Sequence, residues 1–279
     1  MAAPVGLIAG NGQLPFELAR GARARGHRIA AVAFEGLAEP GLEAVADAFT
    51  AQPIGQLDRH FAFLRAQGVK QVVFAGKVPK RVLYDGTNLA PDARALAILA
   101  KLRDRSDDSI LLACAAAFEE EGFELLSQTE LAPELLAEEG QLGAHAPTGE
   151  QLAELRFAWP IAKALGGLDV GQTVVVEGRA VLALEAIEGT DLAIRRGVGL
   201  GRGGACVVKV AKPQQDPRFD VPAIGVETVR ALASGRGGLL AVEAGRTLLL
   251  QRDALVREAD AAGIALLGVD ARRVPGGDA

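Results

Sequence analysis

The segment at residues 209–225, KVAKPQQDPRFDVPAIG, brings together the side-chain types that phosphate chemistry needs. It holds cations, three prolines and two carboxylates, Asp216 and Asp220, so it is too rigid and too charged for an ordinary core segment. Hard carboxylate oxygens of this kind can hold a divalent cation beside phosphate. The pattern predicts an active-site loop, and the alternative is a solvated loop with incidental charges.

The charge of the preceding stretch indicates an anionic ligand. Between residues 195 and 218 the chain carries six basic residues and one acid, although the formal net charge of the protein is -5. A local positive field in an acidic protein favours a small anionic ligand over a general affinity for nucleic acid.

A second acidic segment, EAIEGTD at residues 185–191, follows a strand-like run. Here Thr190 could donate a hydrogen bond to a phosphate and Asp191 could supply a carboxylate to a metal ion. The alternative is a turn before residues 192–196 in which Thr190 or Asp191 is the N-cap residue. The glycine-rich stretch 197–204 is predicted to be a loop, which either closes over a ligand, wraps its phosphates, or is a surface connection.

The first half of the chain alternates strand and helix patterns. Apolar runs at 5–9, 29–34 and 71–75 are separated by segments with helical spacing, and a further strand is predicted at 123–126. Such alternation is typical of a mostly parallel sheet covered by helices on both faces. The sequence therefore predicts an α/β, Rossmann-like amino-terminal domain.

A glycine loop follows the first strand, at Gly10, Asn11, Gly12 and Gln13. It partly matches the GxGxxG dinucleotide fingerprint, although Pro15 stands where the third glycine would be. Backbone N–H groups in such a loop can approach a phosphate at a helix amino terminus. We predict phosphate or nucleotide contact here, with a purely structural turn as the alternative.

Lys77 follows the strand at 71–75 by two residues. It is predicted to lie at the same sheet edge as the glycine loop, because the carboxyl ends of parallel strands meet at one edge and ligands bind there.

The second half is predicted to be a separate, mixed α/β domain that carries the active-site loop. A polar stretch with glycine and proline, EEGQLGAHAPTGE, has the composition of a linker and places the boundary near residue 146. The predicted domains are therefore 1–146 and 147–279. Strand-like runs in the second domain lie at 173–177, 180–185, 205–210, 239–242, 247–250 and 265–269.

Composition limits the cellular setting. The chain has 279 residues, 49% of them hydrophobic, and no apolar run approaches the roughly 18 to 20 residues of a membrane helix. Its start lacks the pattern of a signal peptide. Cys114 and Cys206 fit two reduced thiols rather than a disulfide framework. We expect a cytoplasmic protein whose membrane association, if any, is peripheral.

Four segments in order, LIAGNGQLP, FAGKV, EAIEGTD and KPQQDPRFDVPAIG, together with the closing AGRTLLLQRDALVREADAAGIALLGVD, give the chain its resemblance. It resembles the bacterial UDP-2,3-diacylglucosamine pyrophosphatases of the two-domain, non-metallophosphoesterase type, over nearly its whole length. The resemblance implies Mg²⁺-dependent cleavage of that lipid-linked nucleotide sugar into UMP and 2,3-diacylglucosamine 1-phosphate, in lipid A synthesis. It also implies a ligand cleft between two domains, and it leaves open transient contact with the inner membrane surface and a homo-oligomer.

The resemblance also implies roles for individual residues. The essential aspartate of the family motif RxDLPxIG corresponds to Asp220, which would bind Mg²⁺ or position the attacking water. By physical extension, Lys209, Lys212 and Arg218 would neutralise the pyrophosphate, while Gln215 and Asp216 would orient ligands or metal-bound water. Asp191 is the second candidate metal ligand.

Two other functions stay open on the sequence. A nicotinamide-dependent oxidoreductase would explain the glycine loop and Glu35 at the end of the second strand, but it would leave the loop at 209–225 unexplained. A non-catalytic protein that binds a nucleotide sugar or a lipid would use the same residues without turnover.

Overall fold

The computed structural model describes residues 3–78, 89–102, 107–216, 218 and 220–274, which form two compact units. The first unit is Met1–Pro133, with which Arg218 is grouped, and the second comprises Glu134–Asp216 and Asp220–Ala279. The division thus falls before the boundary that the sequence predicts at 146. The physical reason is a short strand at Gly140–Gln141, which pairs with a strand of the second unit.

The first unit is built on a five-stranded sheet in which every neighbouring pair is parallel. Its strands are β1 (Val5–Ala9), β2 (Ile29–Phe34), β3 (Ala48–Gln52), β4 (Gln71–Ala75) and β5 (Glu124–Leu125). Its described helices are α1 (Leu14–Ala24), α2 (Leu57–Ala66), α3 (Ala93–Lys101), α4 (Asp107–Glu120) and α5 (Gln128–Leu131). The strand order β3-β2-β1-β4-β5 confirms the α/β, Rossmann-like prediction.

The strands of this sheet differ in how readily they can be predicted from the sequence. β1, β2 and β4 are almost entirely buried, since helices cover both faces, and they read as continuous apolar runs. β3 is an edge strand with alternating burial, and Phe49 is 38% exposed. β3 was not predicted from the sequence, because AFTAQ is a short run without a continuous apolar stretch and its burial alternates along the strand.

The second unit contains a six-stranded mixed sheet in the order β6-β13-β11-β9-β7-β8, and a two-stranded parallel pair, β10 with β12. Its strands are β6 (Gly140–Gln141), β7 (Thr173–Glu177), β8 (Ala180–Leu184), β9 (Cys206–Lys209), β10 (Ala223–Ile224), β11 (Leu239–Glu243), β12 (Leu248–Leu249) and β13 (Ala265–Val269). Its described helices are α6 (Gly149–Gly167), α7 (Thr190–Leu200), α8 (Val226–Ala233) and α9 (Arg252–Ala261). Short 3-10 helices are formed by Leu42–Val45, Pro133–Leu135 and Ala271–Arg273.

Apolar side chains cover both faces of the mixed sheet. On one face, residues of α7, α8 and α9 pack with those of β7, β9 and β11, and on the other face α6 packs through Trp159, which is fully buried. The mixed α/β prediction for this half is confirmed. Among the described residues, none of the helices is long and apolar enough to cross a membrane.

The direction of the strands decides which polar residues meet. Because β9 and β11 are parallel, their last residues, Lys209 and Glu243, lie at one edge of the sheet. β7 runs antiparallel to β9, and β8 antiparallel to β7, so Glu185 after β8 lies at the same edge. This edge of the second unit is therefore where charged side chains collect.

The glycine-rich stretch 197–204 corrects one prediction. It is not a loop throughout, since α7 continues to Leu200. A Cβ atom at Gly197 would lie 2.7 Å from Cβ of Val175 on β7. Glycine is needed here because it lets the helix approach the sheet closely.

Candidate active site

Lys209, the last residue of β9, anchors a buried polar network. Its Nζ donates to Oγ1 of Thr190 and to the carbonyl oxygen of Ala223, each at 2.9 Å, and the residue is only 4% exposed. Oγ1 of Thr190 donates in turn to Oε1 of Glu185 at 2.9 Å. A buried ammonium needs such partners, because leaving it without them would carry the full cost of desolvation. The structure thus joins two of the predicted substrate-binding residues, Thr190 and Lys209.

The first turns of α7 and α8 are tied together beside this network. Oδ1 of Asp191, in the first turn of α7, accepts a hydrogen bond of 2.9 Å from Oγ1 of Thr228, in the first turn of α8. Thr228 Oγ1 also accepts from the backbone N–H of Gly225 at 3.5 Å. Helix amino termini carry partial positive charge and favour anions. The predicted metal ligand Asp191 therefore lies where two helices begin.

The next residues of the loop are held by local hydrogen bonds. The backbone N–H of Lys212 donates to Oε1 of Gln215 at 3.0 Å, and the N–H of Gln215 donates to the carbonyl of Lys212 at 3.3 Å. Nζ of Lys212 is 2.6 Å from Oδ1 of Asp169. Lys212 and Gln215 are thus fixed in one turn, and the ammonium of Lys212 already has a carboxylate partner.

The two predicted catalytic aspartates share one turn. The backbone N–H of Asp220 donates to the carbonyl oxygen of Asp216 at 3.0 Å, and both residues are half-buried. Nη1 of Arg218 is 2.7 Å from Oε1 of Glu119, with which Arg218 is grouped in the first unit. The guanidinium of Arg218 is therefore paired with a carboxylate.

Glu188, the other carboxylate of the segment 185–191, belongs to a surface ion pair. Arg196 donates a hydrogen bond to its carboxylate and thereby lowers the pKa of Glu188. An ionised, paired carboxylate of this kind is a poor general acid.

The carboxylates of the candidate site can be related to the ligands that Mg²⁺ prefers. Within the described ranges, no three His, Cys, Asp or Glu side chains come together as a metal-binding group. Mg²⁺, however, is commonly held by one or two carboxylates together with substrate phosphates and water. Asp220 and Asp191 carry hard oxygen donors of the kind that this arrangement uses, so the chemistry of these two side chains is compatible with the ion.

In the first unit, the glycine loop and the end of β4 are joined by backbone hydrogen bonds. Asn11 and Lys77 exchange two of them, at 2.9 and 2.8 Å, and the N–H of Gly10 donates to the carbonyl of Ala75. A Cβ at Gly10 would lie 2.6 Å from the carbonyl oxygen of Lys77, and one at Gly76 would lie 2.6 Å from that of Asn11. These glycines are therefore required by the close approach of two loops, which is the structural alternative considered for Gly10.

The remaining residues of the glycine loop keep their predicted place at the sheet edge. The side-chain amide of Asn11 donates to the carbonyl of Leu37 at 3.1 Å. Gly12 has a φ of +100°, and Gln13 directly precedes α1. Gly12, Gln13 and Lys77 lie where the strand order of the sheet reverses between β1 and β4, which is where ligands bind in open α/β sheets. Phosphate contact by these residues stays a prediction.

Sequence reasoning missed several residues that support the site. Thr228 lies in an ordinary amphipathic helix, and nothing in the sequence around it indicates a functional role. Lys163 and Glu243, which contact each other, interrupt an apolar helix and end an apolar strand, respectively. A charged residue at a position that the periodicity marks as buried was the signal that could have identified the pair.

Comparison with known proteins adds a family relationship. The model described as LpxI N-terminal domain matches residues 4–135, and the model described as LpxI C-terminal domain matches residues 138–267. A relative from Caulobacter vibrioides, named "UDP-2,3-diacylglucosamine pyrophosphatase LpxI", is 39% identical over 283 residues, which cover 97% of this chain and 99% of the relative. The solved structure described as "Crystal structure of gox2253" covers 100% of this chain and 96% of that chain at 13% identity, but its TM-score of 0.30 carries no argument.

Proposed function

The chain belongs to the LpxI family, and on this premise we propose that it hydrolyses the pyrophosphate bond of UDP-2,3-diacylglucosamine in lipid A synthesis, with Mg²⁺ as its metal ion. The products would be UMP and 2,3-diacylglucosamine 1-phosphate. The observation that carries the proposal is the 39% identity to the Caulobacter pyrophosphatase, which extends over 97% of this chain and 99% of that protein.

The second unit contains the groups that such a reaction needs. A diphosphate is anionic, and Lys209 places a buried ammonium between the start of α7 and the segment that follows Asp220. Cations and helix amino termini stabilise the charge that develops on phosphate oxygens in the transition state. The chemistry is therefore supported at the edge where β9 ends.

In the proposed reaction, water adds across the P–O–P bridge. One phosphorus gains the oxygen of water, and the bridging oxygen leaves with the other phosphate. Mg²⁺, when bound, would neutralise phosphate charge and acidify or orient the water. Asp220 and Asp191 would hold the ion, Asp216 and Gln215 would orient the water or the ligand, and Lys212 and Arg218 would contribute positive charge.

Turnover of the proposed substrate tests the function directly. Purified protein with UDP-2,3-diacylglucosamine and Mg²⁺ should release UMP and the lipid phosphate in equal amounts. In heavy-oxygen water, the product that carries the label identifies the phosphorus that is attacked. Binding without release would favour the non-catalytic alternative, and hydride transfer to a nicotinamide would favour the oxidoreductase.

Replacing Lys209 with methionine should impair both stability and turnover. The variant leaves Thr190 and the carbonyl of Ala223 without their buried donor, so the free energy of unfolding should fall by about 1–3 kcal/mol. Loss of the ammonium should also lower kcat about 10²-fold, as for other charge-stabilising groups. Urea unfolding and initial rates of UMP release measure the two effects.

The exposed Lys70 of the first unit offers a matched control for Lys209, since Lys70→Met removes the same charge from a solvated position. This control should keep the stability and the kcat of the wild-type protein. A Lys209→Met protein with wild-type kcat would show that the buried ammonium takes no part in turnover.

A further inference from the structure

A buried ion pair lies outside the residues predicted for the site. Nζ of Lys163, on α6, is 3.2 Å from Oε2 of Glu243, at the end of β11, and the two side chains are 5% and 2% exposed. Replacing a buried ion pair with apolar residues is often neutral for stability, since the attraction barely offsets the loss of hydration. The need for a stable core therefore does not explain the pair.

The pair binds the backbone at the start of the active-site loop. Oε2 of Glu243 accepts a hydrogen bond of 2.8 Å from the N–H of Ala211, and Nζ of Lys163 donates to the carbonyl of Ala211 at 3.4 Å. Ala211 is 2% exposed, so its backbone groups depend on protein partners for their hydrogen bonds. Both polar groups of this one residue are thus held by the two charges.

The same helix also fixes the next residue of the loop. A Cβ at Gly166, one turn beyond Lys163, would lie 3.4 Å from Cα of Lys212, and Asp169, two residues after the end of α6, pairs with the ammonium of Lys212. Residues at a spacing of three lie on one face of a helix. One face of α6 therefore lies along Ala211 and Lys212.

The far end of the loop has separate anchors. The carbonyl of Pro222 accepts from the N–H of Leu248 at 2.8 Å, and the carbonyl of Ala223 accepts from Lys209. The two ends of the loop are therefore held by different groups. Lys163 and Glu243 bind the backbone at its entrance, and β12 and Lys209 bind the backbone at its exit.

We propose that Lys163 and Glu243 form a positioning pair for the reaction: by binding both backbone groups of Ala211, they set the entrance of the loop that carries Lys212, Gln215 and Asp216. The inference rests on the proposed function. Neither residue is assigned contact with the substrate. A displacement of reacting groups by about 1 Å can cost about 10²-fold in rate, so the loss of this anchor should be visible in kcat.

Two double variants separate the backbone anchor from the buried charges. Lys163→Met with Glu243→Leu removes the charges and the acceptor for Ala211, whereas Lys163→Met with Glu243→Gln removes the charges and keeps a carbonyl acceptor. We expect both proteins to fold, with kcat lowered about 10²-fold in the leucine variant and less than about tenfold in the glutamine variant. Amide hydrogen exchange at Ala211 should be faster only in the leucine variant.

The surface pair Arg252 and Glu138 provides the control, since Arg252→Gln with Glu138→Gln removes an ion pair whose arginine and glutamate side chains are 33% and 74% exposed. That variant should keep the wild-type kcat. Equal kcat values in the leucine variant and the wild type, with fast exchange at Ala211, would overturn the inference.

The glutamine variant decides if the leucine variant does not fold. Slow exchange at Ala211 together with nearly full kcat then supports the positioning role, and slow exchange together with a kcat lowered about 10²-fold overturns it. Absence of turnover in the wild-type protein would instead refute the proposed function, while the exchange rates would still report whether the pair holds the loop.

Discussion

The Asp220→Asn variant should turn over UDP-2,3-diacylglucosamine about 10³-fold more slowly than the wild-type protein, because the amide can neither act as a base nor supply a charged oxygen to Mg²⁺. Asparagine has nearly the same size and keeps the backbone N–H that donates to Asp216. The turn should therefore survive, and substrate binding should be weakened far less than kcat. Initial rates of UMP release and equilibrium binding of the substrate measure the two quantities.

Two further variants make the result for Asp220 specific. Asp253, exposed in the first turn of α9, is a control, and Asp253→Asn should leave kcat unchanged. Asp216→Asn tests the second aspartate of the same turn. Should Asp216→Asn abolish turnover while Asp220→Asn keeps it, Asp216 is the essential aspartate and the essential role proposed for Asp220 is wrong.

Removal of divalent metal ions should lower turnover of the wild-type protein to less than about a hundredth of its starting value. The reason is that Lys209 and Lys212 would neutralise the charge of a diphosphate only in part, because each of these ammonium groups already has partners within the protein. Excess Mg²⁺ added after treatment with EDTA should restore the rate. The measurement is UMP release before chelation, after it, and after addition of Mg²⁺.

A variant of a proposed metal ligand tests whether that carboxylate binds the Mg²⁺ on which turnover depends. Asp191→Asn should raise the Mg²⁺ concentration needed for half-maximal rate, while the hydrogen bond from Thr228 can still be accepted by the amide oxygen. Thermal unfolding of the wild-type protein should be similar with and without EDTA, which excludes unfolding as the cause of lost activity. Full turnover in EDTA would show that the reaction does not require the ion.

Much of the fold follows from local patterns in the sequence. β1, β2 and β4 appear as apolar runs because parallel strands covered on both faces need continuous apolar side chains. The edge strand β3 and the two-residue strands β6 and β10 were not predicted, since their stability comes from pairing with neighbours and not from their own composition. The glycines in α7 were read as a loop, although Gly197 serves close packing against Val175.

In the candidate site, too, some features can be predicted from the sequence and others are known only from the structure. The sequence by itself determined which kinds of side chain lie in the loop at 209–225 and in the segment 185–191. It also determined the family, and the two family models and the Caulobacter relative confirm that family. Residue type and short spacing are local properties, so they can be read along the chain.

Only the tertiary structure decided which of these side chains have partners. It brought Thr190 to Lys209 and tied Asp191 to Thr228, a residue 37 positions away along the chain. It also placed Lys163 against Glu243, separated by 80 positions, and both against Ala211. Contacts over such distances depend on strand order and helix packing, which local periodicity does not encode.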